Sequence, residues 1–217
     1  MKKYIDYSKD TSLVNKMRQK RFDFFKSFLS SLARPTSILD IGGTIKFWEK
    51  SGFYKYEGIH FTIVNPGMKS RSEHNFEVVN GDGTNMPYFR DKQFDIVFSN
   101  SVIEHLYSWE NQVKMANEVN RLSKSYFVQT PNYGFPVEPH FVFPFFHYLP
   151  VPFRIWLTKN YDLGHYPRAR NKERAADRVN EIQLLSVKEM KKLFPEAKIY
   201  REKLFGLTKS IIAYKFN

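Results

Sequence analysis

Two glutamate–histidine pairs carry side chains that can exchange protons near neutral pH. Glu104 and His105 adjoin in the segment SVIEHL, and Glu138 and His140 lie two residues apart in the segment EPH. An imidazole titrates close to neutral pH, which suits it to general-base chemistry. These four residues are the candidate catalytic groups. The alternative for the first pair is a helix start, with Ile103 packed inside and His105 making a structural hydrogen bond.

A glycine turn follows an apolar run in the segment TSILDIGG, residues 36–43. The run stops at Asp40, and Gly42 and Gly43 follow at once. Glycine lets the backbone approach a ligand closely, and turns of this kind hold dinucleotides, nucleoside triphosphates or S-adenosylmethionine. The dinucleotide spacing G-x-G-x-x-G does not continue beyond this pair, and the phosphate loop G-x-x-x-x-G-K-[ST] is absent from the sequence.

The composition limits the classes of function. The chain has no cysteine, which excludes disulfides, a thiolate nucleophile and cysteine-ligated zinc. It has neither a signal-peptide core nor 18 consecutive apolar residues, so the expected location is cytoplasmic, with peripheral contact at the inner face of the membrane as an extension. The net charge is +12, and residues 1–34 hold nine Lys/Arg against three Asp/Glu. Such a surface attracts phosphates of nucleic acid, lipid or a small substrate, or is simply a solvated face.

Strands and helices alternate along the chain. A helix is predicted over residues 11–33, followed by strands at 37–41, 58–65, 76–82, 94–100 and 125–132, with helices at 45–53, 108–123 and 186–196 and closing strands at 198–206 and 207–216. Ser186 and Glu189 are spaced as a capping box. The alternation predicts one α/β domain over residues 1–217, with a mostly parallel, Rossmann-like doubly wound sheet and an antiparallel hairpin at its end. Residues 1–34 are its N-terminal helical cap. Ligands are expected at the carboxyl ends of the strands.

Residues 131–180 are interpreted as an insertion after the fifth strand. Residues 131–170 alone hold seven of the eleven prolines and eleven aromatic residues. So many prolines argue against one long helix. We interpret the segment as a lid or substrate-recognition element, and the alternative is a small satellite core packed on the sheet.

Four segments in the correct order resemble the class I S-adenosylmethionine-dependent methyltransferases, specifically the type-11 group. They are ILDIGGT, IVNPG, the block GDGTNMPYFRDKQFDIVFSNSVIEHL and FVQTPN, which together cover about residues 36–132. The long block is the most specific of them. The resemblance implies a seven-stranded sheet that ends in a reversed strand, S-adenosylmethionine as cofactor, and methyl transfer as the reaction.

The same resemblance implies a set of cofactor-binding residues. Asp40, Gly42 and Gly43 would line the methionine end, with Asp40 orienting the loop or receiving the ammonium. Asn65 stands where the family has an acidic residue that grips the ribose hydroxyls, and an amide lacks that charge assistance. Asp82 and Gly83 would meet the adenine, with turn chemistry as the alternative for Asp82. Ser99 and Asn100 would meet the methionine portion. Arg21 is interpreted as an exposed helical residue, and contact with the carboxylate of the cofactor is the alternative.

The segment IEH also resembles the E-x-x-E-H segment of ubiquinone-pathway O-methyltransferases and small-RNA 2′-O-methyltransferases, which bind a divalent metal. Ser101 replaces the first glutamate of that pattern here. One carboxylate ligand is therefore missing, although Glu138 or His140 could take its place. The sequence leads us to predict no metal site.

The predicted reaction is O-methylation of a small-molecule or saccharide acceptor, with phosphorylated and lipid-linked acceptors among the candidates. The aromatic insertion offers stacking faces for sugar rings and a contact for lipid, with peripheral membrane contact through residues 135–157. One alternative is an RNA methyltransferase that uses the basic surface and aromatic stacking. The other is a non-enzymatic membrane-surface or partner-binding protein on the same fold. The intact DIGG and GDG loops argue against the latter.

Overall fold

An eight-stranded mixed sheet forms the centre of the computed structural model, which describes residues 13–30, 32 and 35–216. Its strands are β1 (Thr36–Ile41), β2 (Ile59–Val64), β3 (Arg71–Glu73), β4 (Phe76–Val79), β5 (Ile96–Asn100), β6 (Ser125–Pro131), β9 (Lys198–Leu204) and β10 (Leu207–Lys215). β7 (Val137–Glu138) and β8 (Phe143–Pro144) pair separately, outside this sheet.

Helices cover both faces of the sheet. They are α1 (Leu13–Leu29), α2 (Ile45–Lys50), α3 (Trp109–Leu122), α4 (Val151–Asn160), α5 (Lys172–Glu181) and α6 (Val187–Leu193), with 3-10 turns at Ile103–His105 and Phe146–Tyr148. The capping box of α6 forms as predicted, since the Ser186 hydroxyl accepts from the Glu189 N–H and the Glu189 carboxylate accepts from the Ser186 N–H. Of the predicted N-terminal cap, residues 1–12, 31, 33 and 34 lie outside the described residues.

The strand order β3-β4-β2-β1-β5-β6-β10-β9 confirms the doubly wound prediction. Strands β4, β2, β1, β5 and β6 are parallel, whereas β10 is antiparallel to both β6 and β9. The chain builds outward from β1 to one side and then returns to place β5 on the other. This reversal creates a switch point between β1 and β5, where ligands bind in such sheets.

The sheet has one strand more than the predicted seven. β3 is an edge strand and pairs antiparallel with β4 through Arg71–Val78, Ser72–Glu77 and Glu73–Phe76. It has three polar residues that lie largely in solvent. The hydrophobic alternation on which strand prediction depends is therefore absent from it.

An aromatic core lies between the sheet and helices α1 and α2. Phe25 and Trp48 from the helices pack with Phe61, Phe98 and Phe127 from the strands, and all five are buried. On α1, the buried positions are Phe22, Phe25 and Leu29. The helical spacing predicted Phe24, Phe25 and Phe28 on the apolar face of this helix; Phe25 is buried, whereas Phe24 and Phe28 are only partly buried. The side chain of Leu13, also predicted to face the core, is outside the described part of the chain.

The insertion contains a core of its own, formed by Phe141, Phe146, Leu157, Leu163, Val179 and Ile182. Helix α4 in its centre was not predicted, because the many prolines of this segment argued against one long helix. Pro150 is instead the N-cap and a proline occupies the first turn, where the missing N–H has no helical partner to lose. Among the described residues, no helix is long and apolar enough to cross a membrane.

Candidate active site

The glycine turn after β1 is closed by packing and by backbone hydrogen bonds. Gly42 has φ +80°, and its N–H donates to the Val64 carbonyl at 2.7 Å. Thr44 then caps α2 by accepting from the Phe47 N–H. A Cβ at Gly42 would lie 2.5 Å from Val102, and one at Gly83 would lie 2.5 Å from Ile41. Both glycines are therefore required by the packing of the protein itself.

Asp40 lies beneath this turn and faces inward. Its carboxylate is buried and its Oδ2 accepts a hydrogen bond from the Trp48 indole Nε1 at 2.7 Å. Burial raises the pKa of Asp40 to about 7, against the opposing effect of the indole hydrogen bond. A Cβ on Gly43 would come within 1.6 Å of Oδ2. Asp40 therefore orients the loop from below.

We expect the stability of the protein to fall between about pH 4 and pH 7 because of Asp40. Its folded pKa of about 7 exceeds the ordinary value of 3.8, so the folded state binds the proton more tightly than the unfolded chain. The stability is thus greatest below the lower pKa and is lost as the pH rises through the higher one. At about 1.4 kcal/mol per pKa unit, the loss is on the order of 2–4 kcal/mol.

Urea unfolding of the wild type and of Asp40→Asn at pH 5 and pH 8 measures this effect. Asparagine has no charge to bury and its oxygen can still accept from Trp48, so the variant should lack this part of the pH dependence. Taking the difference between the two proteins cancels the other titrating groups. An identical pH slope in both proteins would show that Asp40 is not the source.

Asn65 ties the turn together from the end of β2. Its side-chain Nδ2 donates to the carbonyls of Gly42 at 3.1 Å and Gly43 at 3.0 Å. Both donors of the amide are thus used by the protein. A carboxylate has no such donors, so this position favours asparagine over the acidic residue of the resembling family. The contact of Asn65 with the ribose stays a prediction. Because Nδ2 is already used, the amide oxygen would be the atom that makes this contact.

Replacing Asn65 by aspartate should weaken the turn more than replacing it by alanine. Both changes remove two hydrogen bonds, each worth about 1 kcal/mol. Aspartate also sets a negative charge against two carbonyl oxygens. We therefore expect Asn65→Asp to unfold more easily and to bind S-adenosylmethionine more weakly than Asn65→Ala, as measured by thermal unfolding and calorimetry. Tighter cofactor binding by Asn65→Asp would instead show that the side chain grips the ribose.

The other predicted cofactor residues also make contacts within the protein. Asp82 accepts from the Thr84 N–H through Oδ1 at 2.8 Å, which is the turn role given above as the alternative. Ser99 is fully buried and its hydroxyl donates to the Ile41 carbonyl at 3.2 Å. Asn100 accepts from the Arg21 guanidinium through Oδ1 at 2.7 Å. Their predicted contacts with the cofactor remain untested by this geometry.

Arg21 is the centre of a polar network, so its interpretation as an exposed helical residue is wrong. Its side chain is only 14% exposed. All five of its N–H donors are used. Nε and Nη2 donate to the two carboxylate oxygens of Glu202 at 2.9 and 2.6 Å. Nη1 donates to Asn100 and Gln129 at 2.7 and 2.8 Å, and Nη2 also donates to the Ser210 hydroxyl at 3.4 Å. The bidentate pair joins α1 to β9. A ligand carboxylate would have to displace one of these partners.

A cleft of about 500 Å³ opens at the carboxyl end of β5. Its walls come from α1, α2 and β5, and they include Arg18, Arg21, Phe47, Lys50, Phe98, Asn100 and Ser101. A smaller cavity of about 90 Å³ shares Arg21 and Ser101 with it and is also lined by Lys209. Of the eight predicted cofactor residues, all of them described, Asn100 is the one that lines the larger cleft.

The two glutamate–histidine pairs form one cluster, although 33 or more residues separate them in the chain. The His105 and His140 rings are perpendicular, with centroids 4.8 Å apart. Nδ1 of His140 binds Glu138 Oε1 at 2.5 Å, and Nδ1 of His105 binds Glu181 Oε1 at 3.0 Å. Glu181 was not among the predicted residues, because an acidic residue on a polar helix carries no sequence signal.

Glu104 is the buried member of the cluster. Its Oε2 accepts from the Thr130 hydroxyl at 3.0 Å, whereas its Oε1 is buried without a hydrogen-bond partner in the described part of the chain. Burial raises the pKa of Glu104, against the favourable charges of His105 and His140. Burial alone would lower the pKa of His140, but the hydrogen bond and charge of Glu138 outweigh it and raise that pKa. Proton-exchanging groups therefore meet at the carboxyl edge of β5 and β6.

Comparison with known proteins identifies the class. Residues 50–126 match the family described as methyltransferase domain. The match contains Asn65, Asp82 and the IEH segment, and it begins after the glycine turn and ends before the insertion. The match covers less than half of the chain, and both the match and the doubly wound sheet support the class predicted from the sequence, the class I S-adenosylmethionine-dependent methyltransferases. S-adenosylmethionine is the methyl donor of that class.

The curated relatives are two Mycobacterium tuberculosis proteins, uncharacterized protein MT1557 and uncharacterized protein Rv1509. Each is 28% identical over 135 residues, which cover 57% of this chain and 45% of the relative. The chain thus spans less than half the length of the curated relatives that it matches.

Solved structures share the fold at low sequence identity. The Haemonchus contortus phosphoethanolamine N-methyltransferase 2 bound to S-adenosyl-L-methionine aligns with a TM-score of 0.54 and 12% identity, over 84% of this chain and 38% of that one. A protein of Anabaena variabilis assigned to methyltransferases of an antibiotic biosynthesis pathway aligns with a TM-score of 0.53 and 15% identity, over 86% of this chain and 64% of that one. A Rhodobacter sphaeroides protein assigned to Zn-dependent alcohol dehydrogenases aligns with a TM-score of 0.55 and 11% identity, over 90% of this chain and 88% of that one. These likenesses concern the fold alone.

Proposed function

We propose that this chain transfers the methyl group of S-adenosylmethionine to an oxygen of a small-molecule or saccharide acceptor, with phosphorylated and lipid-linked acceptors among the candidates. The observation that carries the proposal is the cluster of Glu104, His105, Glu138 and His140. It lies at the carboxyl edge of the sheet, where the cleft also opens. A hydroxyl must lose a proton when it is methylated, and this cluster offers the groups to remove it.

The residues at the switch point fit the proposed cofactor. The 500 Å³ cleft falls within the usual size of small-molecule sites. Phe47 and Phe98 supply apolar walls, and Lys50 and Arg18 add positive charge suited to a carboxylate. We propose that Asn100 and the framework of Asp40, Gly42, Gly43, Asn65, Asp82, Gly83 and Ser99 hold the cofactor. When bound, the cofactor supplies a methyl group activated by its sulfonium, so orientation provides much of the catalysis.

The proton of the acceptor hydroxyl would leave at the histidine pair. Each Nδ1 is held by a glutamate, which fixes the ring and leaves Nε2 for the acceptor. No hydrogen bond to Nε2 of either histidine is found in the described residues. The buried Glu138 also accepts the N–H groups of His140 and Phe141 at 2.8 and 2.7 Å, so the dyad is rigidly placed.

The insertion supports a saccharide or lipid-linked acceptor. Phe145, Tyr148, Phe153 and Trp156 are each 45–57% exposed, and the rings of Phe153 and Trp156 stack with centroids 5.5 Å apart. Exposed aromatic faces suit sugar rings, and they also suit the surface of a lipid bilayer beside basic residues. The predicted membrane contact through residues 135–157 is therefore retained as part of the proposal, and flotation with anionic liposomes tests it.

A panel of acceptors tests the proposed reaction. The protein is incubated with S-adenosylmethionine and with hydroxylated sugars, sugar phosphates, lipid-linked saccharides or RNA, and products are examined by mass spectrometry for one added methyl group. We expect a methylated oxygen on a member of the first three groups. Methylation of RNA with strong salt dependence would replace this proposal by the nucleic-acid alternative. Cofactor binding with no product in any group would contradict the acceptor class.

A further inference from the structure

We propose that Glu104, His105 and His140 bind a divalent transition-metal ion through one carboxylate oxygen and two imidazole nitrogens. One ligand atom from each of these side chains lies within 4.8 Å of the others. The sequence predicted no metal site, because Ser101 stands where the pattern that IEH resembles has its first glutamate. The structure supplies a different third ligand, His140, from the insertion.

The unpartnered oxygen of Glu104 is the first argument. The residue is 0% exposed, its Oε2 is satisfied by Thr130, and its Oε1 has no partner among the described residues. A buried carboxylate oxygen without a partner is costly. The two imidazoles lie beside it, so a cation in their midst would satisfy the oxygen that the protein leaves open.

The orientation of the histidines is the second argument. In metal sites, a ligating histidine usually donates its other ring N–H to a carboxylate, which fixes the tautomer and the ring. Here Glu138 holds Nδ1 of His140 at 2.5 Å and Glu181 holds Nδ1 of His105 at 3.0 Å. Both rings are therefore arranged to present Nε2 as a ligand. Each of the two imidazoles that would contact the ion is thus held in place by a carboxylate that does not contact the ion.

The ligand set and the charge select the kind of metal. Two imidazoles and one carboxylate suit Zn²⁺, Co²⁺ or Fe²⁺, whereas Mg²⁺ and Ca²⁺ prefer oxygen ligands alone. Three carboxylates surround the site, and two of them, Glu104 and Glu138, are at most 1% exposed. With metal–ligand bonds of 2.0–2.1 Å, tetrahedral ligand atoms lie about 3.4 Å apart, so the side chains need to close by about an ångström or slightly more.

Three protein ligands leave a coordination position open, as in catalytic sites. An acceptor hydroxyl bound there would lose its proton more easily, because coordination lowers its pKa. In the loaded protein His140 would be a ligand and not the base, and the hydroxyl proton, made more acidic by coordination, would pass to solvent water as the oxygen takes the methyl group. This catalytic use of the ion rests on the proposed function, whereas binding of the ion does not.

Titration of chelator-treated protein, purified without a histidine tag, tests the site. Zn²⁺ and Co²⁺ are added separately and followed by calorimetry, and Co²⁺ is also followed by visible absorption. We expect one ion per chain. Glu104→Gln keeps the size of the side chain and removes its charge. Each of the single variants Glu104→Gln, His105→Gln and His140→Gln should weaken binding of the ion at least 100-fold. Glu181→Gln should weaken it about 10–100-fold, the usual cost of losing an outer-shell partner.

The control variant is His60→Gln, because His60 is an exposed histidine on β2 that faces Glu77 at 4.0 Å. It should bind the ion as the wild type does. Circular dichroism and thermal unfolding establish that each variant is folded. Absence of one-to-one binding, or binding unchanged in Glu104→Gln and His140→Gln, would overturn the metal site and leave a metal-free acid–base cluster. Calorimetry with S-adenosylmethionine on the same chelator-treated protein separates that result from failure of the proposed function.

Discussion

His140→Gln is expected to lower the rate of methyl transfer by about 10²–10⁴-fold, the range for loss of a group that handles the reacting proton. The imidazole is held by the buried Glu138 and lies beside His105 and Glu104. Glutamine can form the hydrogen bond to Glu138 but has no titrating nitrogen. The affinity for S-adenosylmethionine should be unchanged, because His140 is outside the cleft at β5. Steady-state kinetics and calorimetry on the same preparation measure the two effects.

His60→Gln serves as the matched control for this experiment too, since the ring is exposed and remote in the fold from the cluster. It should retain the full rate. If His140→Gln turned over acceptor as fast as the wild type, the cluster would be structural and the base would have to be sought elsewhere. If it lost the rate and the cofactor affinity together, the residue would support the whole site and not the proton transfer.

Gly43→Ala is expected to abolish measurable binding of S-adenosylmethionine and to destabilise the protein by about 3 kcal/mol. A methyl group at this position would lie 1.6 Å from Asp40 Oδ2, so the buried carboxylate has to move. Overpacking costs about 1–3 kcal/mol, and the bond from Trp48 Nε1 to Oδ2 would be broken as well. Urea unfolding and calorimetry measure the two losses.

A double-mutant cycle locates the cause of this effect. Asp40→Ala removes the obstructing carboxylate, so Gly43→Ala should cost much less in that background than in the wild type. Gly134→Ala is the control, because its new methyl group would meet only the Asn132 side chain, at 3.3 Å. Strict additivity of the Asp40 and Gly43 changes would contradict the packing account of the turn.

The doubly wound, mostly parallel sheet was accessible from the sequence because the buried strands are continuous apolar runs bounded by turns. Strands β1, β5 and β6 are examples, since each is buried on both faces. The polar edge strand β3 lacks that signal. Helix α4 begins with prolines, and the same residue type that breaks a helix in its interior favours its first turn. Local patterns therefore predicted the buried strands and the closing hairpin, and they missed the polar edge strand β3 and helix α4.

In the candidate site, the residue types were predictable from the sequence, whereas the contacts between them were not. Four candidate catalytic residues were recognisable by type: Glu104, His105, Glu138 and His140. Their proximity in space depends on how the insertion folds back over β5 and β6. The partners Glu181 and Glu202 carry no local signal, since each acts through a contact distant in sequence. Asn65 appeared to be a weakened ribose ligand, whereas in the structure its two N–H donors close the glycine turn. Long-range hydrogen bonds decide these roles.

The most direct test of the account is calorimetric titration of S-adenosylmethionine into the wild type and three variants, Gly43→Ala, Asn65→Asp and His140→Gln. The account predicts one-to-one binding to the wild type and to His140→Gln, weakened binding to Asn65→Asp, and no detectable binding to Gly43→Ala. Absence of both heat and thermal stabilisation of the wild type at millimolar cofactor would contradict the central claim that this domain binds S-adenosylmethionine at the β1–β5 switch point.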